Sequence, residues 1–287
     1  MHDYLLSLGL GIVEGVTEFL PVSSTAHLRI AEALSGVGLS DGYWKMFTIV
    51  IQLGAICCLP IYFRARIRGF LAGFARSLDE GRGIVHPFTL TLIAFVCTAV
   101  PSLLLVKVIG KHLESLVVMG TSLVVGGVVM WVVDWLFARG RLHTNTPEME
   151  QMTLGQAIWI GVCQIASAVF PGTSRSMATI AAGQLCGMTR EAALEFSFFL
   201  SMPTMAAATG YDLYKTLREG TASALGGAAM TAHAWAVLAV GFVVSFIVAY
   251  AVVAWFMGWV RHRGFVPFAV WRLVAGAAVL LWMAPRA

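Results

Sequence analysis

The chain has 287 residues, of which 59% are hydrophobic and only 12% are charged. A soluble domain carries about 25% charged residues, so this composition excludes an ordinary soluble globular protein. The net charge of +4 comes largely from arginines in short segments between apolar stretches, a pattern that concerns membrane orientation and needs no nucleic-acid partner. The N-terminal segment has no basic region and no small-residue cleavage site, so we expect it to be retained.

Several apolar stretches are long enough to cross a bilayer, which takes about 20 residues per helix. Two further apolar regions, 4–34 and 154–187, are interrupted by Pro21 and Pro171, and each piece is short for a full crossing. Each of these regions predicts a re-entrant helical hairpin, whose irregular backbone must be surrounded by protein or by a wet cavity. The predicted transmembrane helices are 44–63, 87–107, 115–137, 192–210, 234–258 and 267–284.

The two interrupted regions resemble each other at a constant offset of 150 residues. Each is followed by three predicted spans, an odd number, so the second half must be inverted relative to the first. Inverted repeats with broken helices place a binding site near the membrane midplane. The sequence therefore predicts an all-α polytopic membrane protein with a first repeat at 1–140, a connecting loop at 141–153 and an inverted second repeat at 154–287. The matched pairs include Gly11 with Gly161, Glu14 with Gln164, Pro21 with Pro171, and Ser24 with Ser174.

Arginines are concentrated in three segments, 64–86, 139–141 and 261–263, which this topology places on one side of the membrane. The positive-inside rule makes that side cytoplasmic. Both termini are then outside, the first hairpin enters from outside and the second enters from the cytoplasm.

Glu14 and Glu18 are four residues apart in the first hairpin, so a helix places both carboxylates on one face. Ionisable residues inside a membrane are costly and are functional candidates by default. Two adjacent carboxylates repel each other unless a cation lies between them, and carboxylate oxygens suit Mg²⁺ or Ca²⁺. The pair predicts a divalent-cation site, and an interfacial pair that faces water is the alternative.

The segment from Pro21 to His27 is typical of a turn that leads into a new helix. Ser24 and His27 are three residues apart and share a helical face. A hydroxyl beside an imidazole is the basic requirement for an activated nucleophile. The alternative for Ser23 or Ser24, taken alone, is that the side chain simply caps the helix.

The segment Pro171–Thr179 is a glycine turn with hydroxyls that opens a helix. Helix N-termini bind phosphate through unpaired N–H groups and the helix dipole, and Arg175 adds a guanidinium fork that suits phosphate oxygens. The alternative for Arg175 is an internal ion pair with Glu14 or Glu18. If the two hairpin tips meet, their side chains suit phosphoryl transfer, in which positioning and charge neutralisation dominate.

These segments resemble the signatures of a known family. EGVTEFLPVSSTAHL, which starts at Glu14, is similar to the first signature of the undecaprenyl-diphosphatase family, also called the bacitracin-resistance family. PGTSRSMAT, which starts at Pro171, is similar to the second signature, and stretches near Phe47 and Glu195 also match, so the resemblance covers essentially the whole chain. One departure is Thr48, where many members have an acidic residue.

The resemblance implies a phosphatase of the bacterial inner membrane with an active site reached from the periplasm. Its substrate would be undecaprenyl diphosphate, and its product the monophosphate carrier lipid of peptidoglycan synthesis. It would need a divalent cation, Mg²⁺ or Ca²⁺. Its partners would be the polyprenyl diphosphate and membrane lipids, with no nucleic acid, and a homodimer is one oligomeric state that the sequence leaves open.

The resemblance and the chemistry of the residues together predict a role for each side chain. Ser24 attacks the terminal phosphorus, His27 handles its proton, Arg175 stabilises the transferring group, and Glu14 and Glu18 hold the cation. Direct attack by water, steered by Glu18 and His27, is the alternative mechanism, so Glu18 is also a predicted catalytic residue. The predicted substrate-binding residues are Ser23, Thr25, Gly172, Thr173, Ser174, Ser176 and Thr179.

A transporter or flippase of a phosphorylated lipid or anion is the alternative function, because inverted repeats with midplane hairpins are a transporter architecture. The Ser24 and His27 pair favours the enzyme, since a carrier needs binding groups but no nucleophile.

Overall fold

The computed structural model describes residues 1–37, 42–105, 115–218 and 231–284, and for 216–218 it describes the backbone alone. Within these ranges the chain is helical, with one isolated parallel bridge between Thr146 and Met188 and no strand. The predicted all-α polytopic class is confirmed. The helices are α1 His2–Thr17, α2 Ser24–Leu34, α3 Gly42–Tyr62, α4 Arg64–Asp79, α5 Pro87–Leu104, α6 Leu116–Ala138, α7 Leu154–Val169, α8 Arg175–Leu185, α9 Arg190–Arg218, α10 Ala232–Val260 and α11 Val266–Met283.

Five helices in the described part of the chain, α3, α5, α6, α10 and α11, are long and apolar enough to cross a membrane. They coincide with five of the predicted spans, although residues 106 and 107 of the span 87–107 lie outside the described residues. The remaining predicted span, 192–210, lies within α9, a helix of 29 residues that also carries Glu191, Glu195 and Asp212. The count of six spans therefore stays a prediction.

Each interrupted region folds into a long and a short helix joined by a tight turn. α1 and α7 have 16 residues each, and α2 and α8 have 11 each. At a rise of 1.5 Å per residue these arms measure about 24 Å and about 17 Å, less than the roughly 30 Å of a hydrocarbon core. The lengths favour the predicted re-entrant path, which itself stays a prediction.

The two hairpins begin at opposite ends of the molecule. α1 begins where α10 begins, and there Asp3 and His233 form a contact of 2.9 Å between Oδ2 and Nε2. α7 begins where α8 ends, and there Gln156 donates a hydrogen bond of 2.8 Å from Nε2 to the carbonyl of Cys186. The end of α10 belongs to this second end, because Arg261 follows α10 and lies close to the start of α9.

The three arginine-rich segments are connected at that second end. Arg66 of α4 binds the linker residue Glu150, and it also donates from Nε to Glu195 of α9 at 2.7 Å. The pKa of Arg66 is raised, mainly by its hydrogen bond to Glu195. The segments 139–141 and 261–263 both lie near the start of α9. Asp134, close to the end of α6, accepts a hydrogen bond of 2.8 Å from Arg190, and Arg261 lies 3.7 Å from Glu191.

Each hairpin packs tightly against a helix from the other half of the chain. Gly11 of α1 lies against α10, where an added Cβ would come within 2.9 Å of the Gly241 carbonyl oxygen. Gly161 of α7 lies against α5, where an added Cβ would collide with the Ala94 backbone. Gly11 and Gly161 are separated by the predicted offset of 150 residues, and each lies where its hairpin crosses a long apolar helix closely. The division into two inverted repeats stays a prediction that this exchange of helices supports.

Candidate active site

Both hairpin tips contain a serine with an unusual backbone conformation. Ser23 has φ 75° and Ser174 has φ 71°, and no other non-glycine residue in the described ranges has a positive φ. Each serine caps the short helix that follows it, since Ser23 Oγ accepts from the Ala26 N–H and Ser174 Oγ accepts from the Met177 N–H. L-residues rarely adopt this conformation, and such strain is concentrated at functional sites.

This geometry corrects one sequence match. Ser174 is structurally equivalent to Ser23, not to Ser24, because both residues are N-caps with positive φ. The second tip has one more residue between its proline and its capping serine than the first tip has. The offset therefore changes from 150 to 151 residues within the tips, and the pairing of Ser24 with Ser174 is wrong by one residue.

Glu18 is the point at which the two hairpins are joined. Its Oε2 accepts a hydrogen bond of 2.6 Å from Ser24 Oγ, and its Oε1 accepts one of 3.0 Å from Arg175 Nη2. The side chains of Glu18 and Arg175 are only 3% and 12% exposed, so their ion pair is largely removed from water. The structure thus brings together three of the four predicted catalytic residues, and it contains the ion pair that was the alternative reading of Arg175.

Two polar groups beside Glu18 are buried without hydrogen-bond partners. Both carboxylate oxygens of Glu14 and the Nη1 of Arg175 are in this state, and Glu14 is 0% exposed. An unpaired buried charge is strongly unfavourable, so such groups need a ligand or a change of charge. The carboxylate suits a cation and the guanidinium suits an anion, which is the pair of ligands that a metal-bound diphosphate would supply.

The donor set fits a magnesium-type cation shared with a substrate. Among the described residues, no cluster of three or more His, Cys, Asp or Glu side chains could hold a metal ion. Mg²⁺ is commonly bound by one or two carboxylates together with substrate phosphates and water, so Glu14 and Glu18 suffice in number. Thr48, the departure from the family pattern noted in the sequence, donates to its own helix at the Lys45 carbonyl, at 2.9 Å.

His27 is bonded on both ring nitrogens, but not to Ser24. Its Nδ1 lies 2.7 Å from the Ser23 carbonyl oxygen, and its Nε2 accepts a hydrogen bond of 2.8 Å from Trp271 Nε1. Because an indole nitrogen can only donate, Nε2 is the acceptor and the proton is on Nδ1. The expected hydroxyl–imidazole pair is thus replaced by a hydroxyl–carboxylate pair, with Glu18 as the group closest to the Ser24 proton.

The predicted hydroxyls of the second hairpin mostly hold the tips in place. Ser176 Oγ donates to the Leu20 carbonyl at 3.0 Å, which ties the second tip to the first. Thr179 Oγ1 lies 2.7 Å from Ser197 Oγ, which ties α8 to α9. Both side chains are 1% exposed, so without a rearrangement they position the site rather than touch a substrate.

The remaining predicted substrate-binding residues differ in their surroundings. Ser174 Oγ lies 3.0 Å from Ser176 Oγ, within the second tip. Gly172 has φ 95°, and an added Cβ would lie 2.5 Å from the Met119 carbonyl oxygen, so only glycine fits there. Thr173 is half-buried and lines an apolar groove between α6, α7 and α8. Thr25 is exposed on α2.

Arg272 of α11 is a site residue that the sequence reasoning missed. It is 0% exposed, and its guanidinium donates to the carbonyls of Pro21, at 3.2 Å, and Gly172, at 3.1 Å. A third hydrogen bond of 3.1 Å goes to the Ser122 carbonyl. Arg272 therefore connects both tips to α6. The signal was present, because Arg272 is an isolated charge within an apolar span.

An apolar groove runs beside His27. It has a volume of about 320 Å³ and is formed by α1, the first tip, α10 and α11. Tryptophans form much of its wall, and the Trp271 ring stacks on His27 with centroids 6.0 Å apart. The polar site is thus adjacent to a surface that suits a hydrocarbon chain. The lining includes Val16, Leu20, Val22, His27, Trp255 and Trp271.

Comparisons with known proteins identify the family of the chain. The profile of the family described as bacitracin resistance protein BacA matches residues 7–278. An undecaprenyl-diphosphatase of Koribacter versatilis is 65% identical over 289 residues, covering 100% of both chains. Proteins of the same name from Bradyrhizobium sp. strain BTAi1 and Caldanaerobacter subterraneus are 42% and 39% identical, covering 99% and 96% of this chain and 98% and 95% of their own. The chain belongs to the bacitracin resistance protein BacA family.

Proposed function

We propose that this protein is an integral membrane phosphatase that hydrolyses undecaprenyl diphosphate to undecaprenyl phosphate and inorganic phosphate. The reaction would recycle the carrier lipid for peptidoglycan synthesis, and it accounts for the link of the family to bacitracin resistance. The relatives that cover the whole chain carry the name of this activity.

The observation that carries the proposal is the set of contacts around Glu18. A serine hydroxyl and an arginine from two different hairpins meet on one buried carboxylate, at 2.6 Å and 3.0 Å. Next to them, the unpaired Glu14 carboxylate and the unpaired Arg175 N–H offer groups of both signs to a ligand. Positioning and charge neutralisation of this kind are the main requirements of phosphoryl transfer.

In the proposed reaction Ser24 Oγ attacks the terminal phosphorus and transfers its proton to Glu18, which already accepts its hydrogen bond. The bond between that phosphorus and the bridging oxygen breaks, and undecaprenyl phosphate leaves. Water then attacks the phosphorus of phosphoserine, the bond from phosphorus to Ser24 Oγ breaks, and Glu18 returns its proton to that oxygen. This step releases inorganic phosphate and restores the Ser24 hydroxyl. Arg175 donates to the oxygens of the transferring group throughout.

His27 contributes as a neutral base near the first tip. Its Nε2 becomes available for the proton of the attacking water when the Trp271 hydrogen bond opens. Direct attack by water on the diphosphate, steered by Glu18 and His27, is the alternative route.

The proposed cofactor is a divalent cation, Mg²⁺ or Ca²⁺, held by Glu14 and Glu18. When bound it would neutralise phosphate charge. The prenyl chain would lie in the groove beside His27, where tryptophan rings continue the apolar surface from the site towards the lipid.

The proposed location is the bacterial inner membrane, with the site facing the periplasm and both termini outside. The connection of the three arginine-rich segments at one end of the molecule supports this orientation, because the positive-inside rule assigns that end to the cytoplasm. The two repeats, 1–140 and 154–287, would be inverted around the tips. A homodimer is one oligomeric state that the sequence leaves open.

Release of inorganic phosphate by the purified protein in detergent tests the proposal. We expect release from a C15 or C55 prenyl diphosphate with Mg²⁺ and little release with EDTA. A transporter or flippase with the same pocket would bind the lipid without cleaving it. If well-folded protein released no phosphate with any divalent metal, the phosphatase function would be excluded.

A further inference from the structure

Helix α4 connects the ends of two candidate spans. α3 ends at Tyr62 and α5 begins at Pro87, so the segment between them lies where both spans leave the apolar layer. α4 has 16 residues, and Phe70 is its one buried residue. The Phe70 ring packs on Phe199 of α9, with centroids 5.4 Å apart. The helix is therefore attached along one side, and most of its surface is open.

The open side of α4 combines leucines with arginines. Leu71 and Leu78 are 54% and 56% exposed, and Arg64 and Arg68 are also exposed. These four residues follow the spacing i, i+4, i+7 and i+14, so they share one helical face. Arginines beside exposed leucines on one face suit the membrane interface, because long basic side chains can reach the headgroups while neighbouring apolar side chains enter the acyl layer.

The position of Leu71 indicates which way this face points. Leu71 shares a small apolar groove with Phe88 and Leu92 of α5. Phe88 and Leu92 are 40% and 41% exposed on the outer surface of a candidate span, where lipid chains would cover them. Leu71 is therefore at the lipid side of α4, and the arginines one and two turns before it are at the level of the lipid headgroups.

The arginines on this face are available for an external anion. Within the described ranges, neither Arg64 nor Arg68 has a carboxylate within 4.0 Å, in contrast to Arg66, which binds Glu150 and Glu195. The acids nearest in sequence are Asp79 and Glu80 at the far end of the helix, and Glu80 is paired with Arg82. Arginine side chains extend along apolar surface and place their charge in the headgroup layer.

We propose that α4 is a docking surface for anionic phospholipids, in which Arg64 and Arg68 bind headgroup phosphates while Leu71 and Leu78 enter the acyl layer. Charge complementarity favours this occupant, since basic residues at a membrane surface attract anionic lipids. The surface is separate from the site at the hairpin tips, so it goes beyond the proposed enzyme activity.

The test measures lipid selectivity directly, without any turnover. The full-length protein is reconstituted in phosphatidylcholine vesicles that contain a trace of spin-labelled phosphatidylglycerol or spin-labelled phosphatidylcholine. Electron spin resonance then gives the relative association constant of the two lipids. The variants are R64Q/R68Q, the charge-conserving R64K/R68K, and the control R139Q/R141Q. The control removes the same charge from exposed arginines that contact Trp135 at the same end of the molecule.

We expect the wild-type protein to favour phosphatidylglycerol by about threefold or more, and the preference to fall as salt is raised. It should approach one in R64Q/R68Q and be retained in R64K/R68K and in the control. No preference in the wild-type protein, or equal loss in the control, would overturn the proposal. Displacement of the labelled lipid by inorganic phosphate, relative to chloride at equal ionic strength, would identify a site for free anions and would also overturn it.

Discussion

Glu18 shares its two carboxylate oxygens between a serine of one hairpin and an arginine of the other, which leaves Glu14 as the unbalanced charge of the cluster. Two carboxylates and one guanidinium together carry a net negative charge when ionised. A divalent cation would reverse that sign and allow a diphosphate to approach. The contacts around this one residue therefore explain why a cation and an anionic substrate would be bound together.

Replacement of Ser24 by alanine tests the nucleophile. We expect phosphate release to fall at least about 1,000-fold, because the attacking oxygen is removed while Arg175 and Glu18 remain. Phosphate release by purified protein measures the effect, and Ser35→Ala, at the exposed end of α2, is the control. Near-normal turnover in Ser24→Ala would exclude the phosphoserine route in favour of direct attack by water.

Replacement of Glu14 by glutamine should separate stability from activity. The amide keeps the shape of the side chain but removes an unpaired buried charge. The free energy of unfolding of the metal-free protein should therefore rise by about 1 kcal/mol or more. For a chain of this size that is an increase in Tm of about 2–4 °C. Phosphate release should fall at least about 100-fold, and the rise in Tm on addition of Mg²⁺ should disappear.

The control for this variant is Glu32→Gln, which changes a buried glutamate paired with Arg29. It should leave the response to Mg²⁺ intact. A Glu14→Gln protein with a normal Mg²⁺ response would show that Glu14 does not hold the cation.

The residue types of the site could be predicted from the sequence, but some of their contacts could not. Charges and hydroxyls in apolar segments identify Glu14, Glu18 and Arg175 without a structure, because such residues are costly in lipid. The helical spacing of Ser24 and His27 predicted a pair, whereas the turn before α2 directs the serine to Glu18 and leaves His27 to Trp271. That choice depends on tip geometry and on a residue 244 positions away.

At the scale of helices, the site depends on two tight turns held against each other. Arg272 donates to carbonyls in both tips, and Ser176 donates across from one tip to the other. A lysine could not replace Arg272 well, because its three donors are on one nitrogen, whereas the planar guanidinium reaches carbonyls on different segments from two nitrogens. The tips thus form one unit, although 150 residues of sequence separate their prolines.

Close helix crossings should be sensitive to a single methyl group. Gly161→Ala places a Cβ against the Ala94 backbone and should destabilise the protein by about 1–3 kcal/mol. Gly155→Ala on the same helix has open space around it and should be neutral or stabilising by up to about 1 kcal/mol. Thermal unfolding in detergent compares the two variants. Equal effects would show that α7 does not pack on α5 in this way.

The sequence predicted the two proline interruptions and the 150-residue offset between the hairpins, but it did not predict the alignment of their tips. Pro21 and Pro171 mark both turns, and Gly11 and Gly161 mark equivalent crossings. The second tip has one extra residue between its proline and its capping serine, so Ser174 is equivalent to Ser23, and Gly172 adopts a positive φ within this longer turn. Identities between two short segments do not contain this information.

At the scale of the whole molecule, hairpins that begin at opposite ends and meet at their tips produce one site from two halves. The same architecture occurs in transporters, so the fold alone does not choose between transport and catalysis. The Ser24 hydroxyl bonded to Glu18 favours catalysis, because the proposed reaction needs a nucleophile at this position and a carrier does not. Apolar composition was enough to predict the class of the protein, whereas the span within α9 stays a prediction, because that helix also carries Glu191, Glu195 and Asp212.

Labelling of single cysteines tests the orientation. In a chain without its five native cysteines, Ser35→Cys, at the returning end of the first hairpin, should react with a membrane-impermeant maleimide in intact cells. Asp79→Cys, at the end of α4, should react after permeabilisation alone, because the arginine-rich end is expected in the cytoplasm. The opposite labelling pattern would reverse the orientation and place the entrance of the first hairpin in the cytoplasm.

The most direct test of the central claim is phosphate release from a C15 prenyl diphosphate by wild type and Arg175→Gln, each with Mg²⁺ and with EDTA. Arg29→Gln is the control, since it removes an arginine of α2 that pairs with Glu32. We predict metal-dependent release by wild type and by the control, and a loss of at least about 1,000-fold in Arg175→Gln. Near-wild-type release by a well-folded Arg175→Gln protein would contradict the assignment of the active site to the hairpin tips.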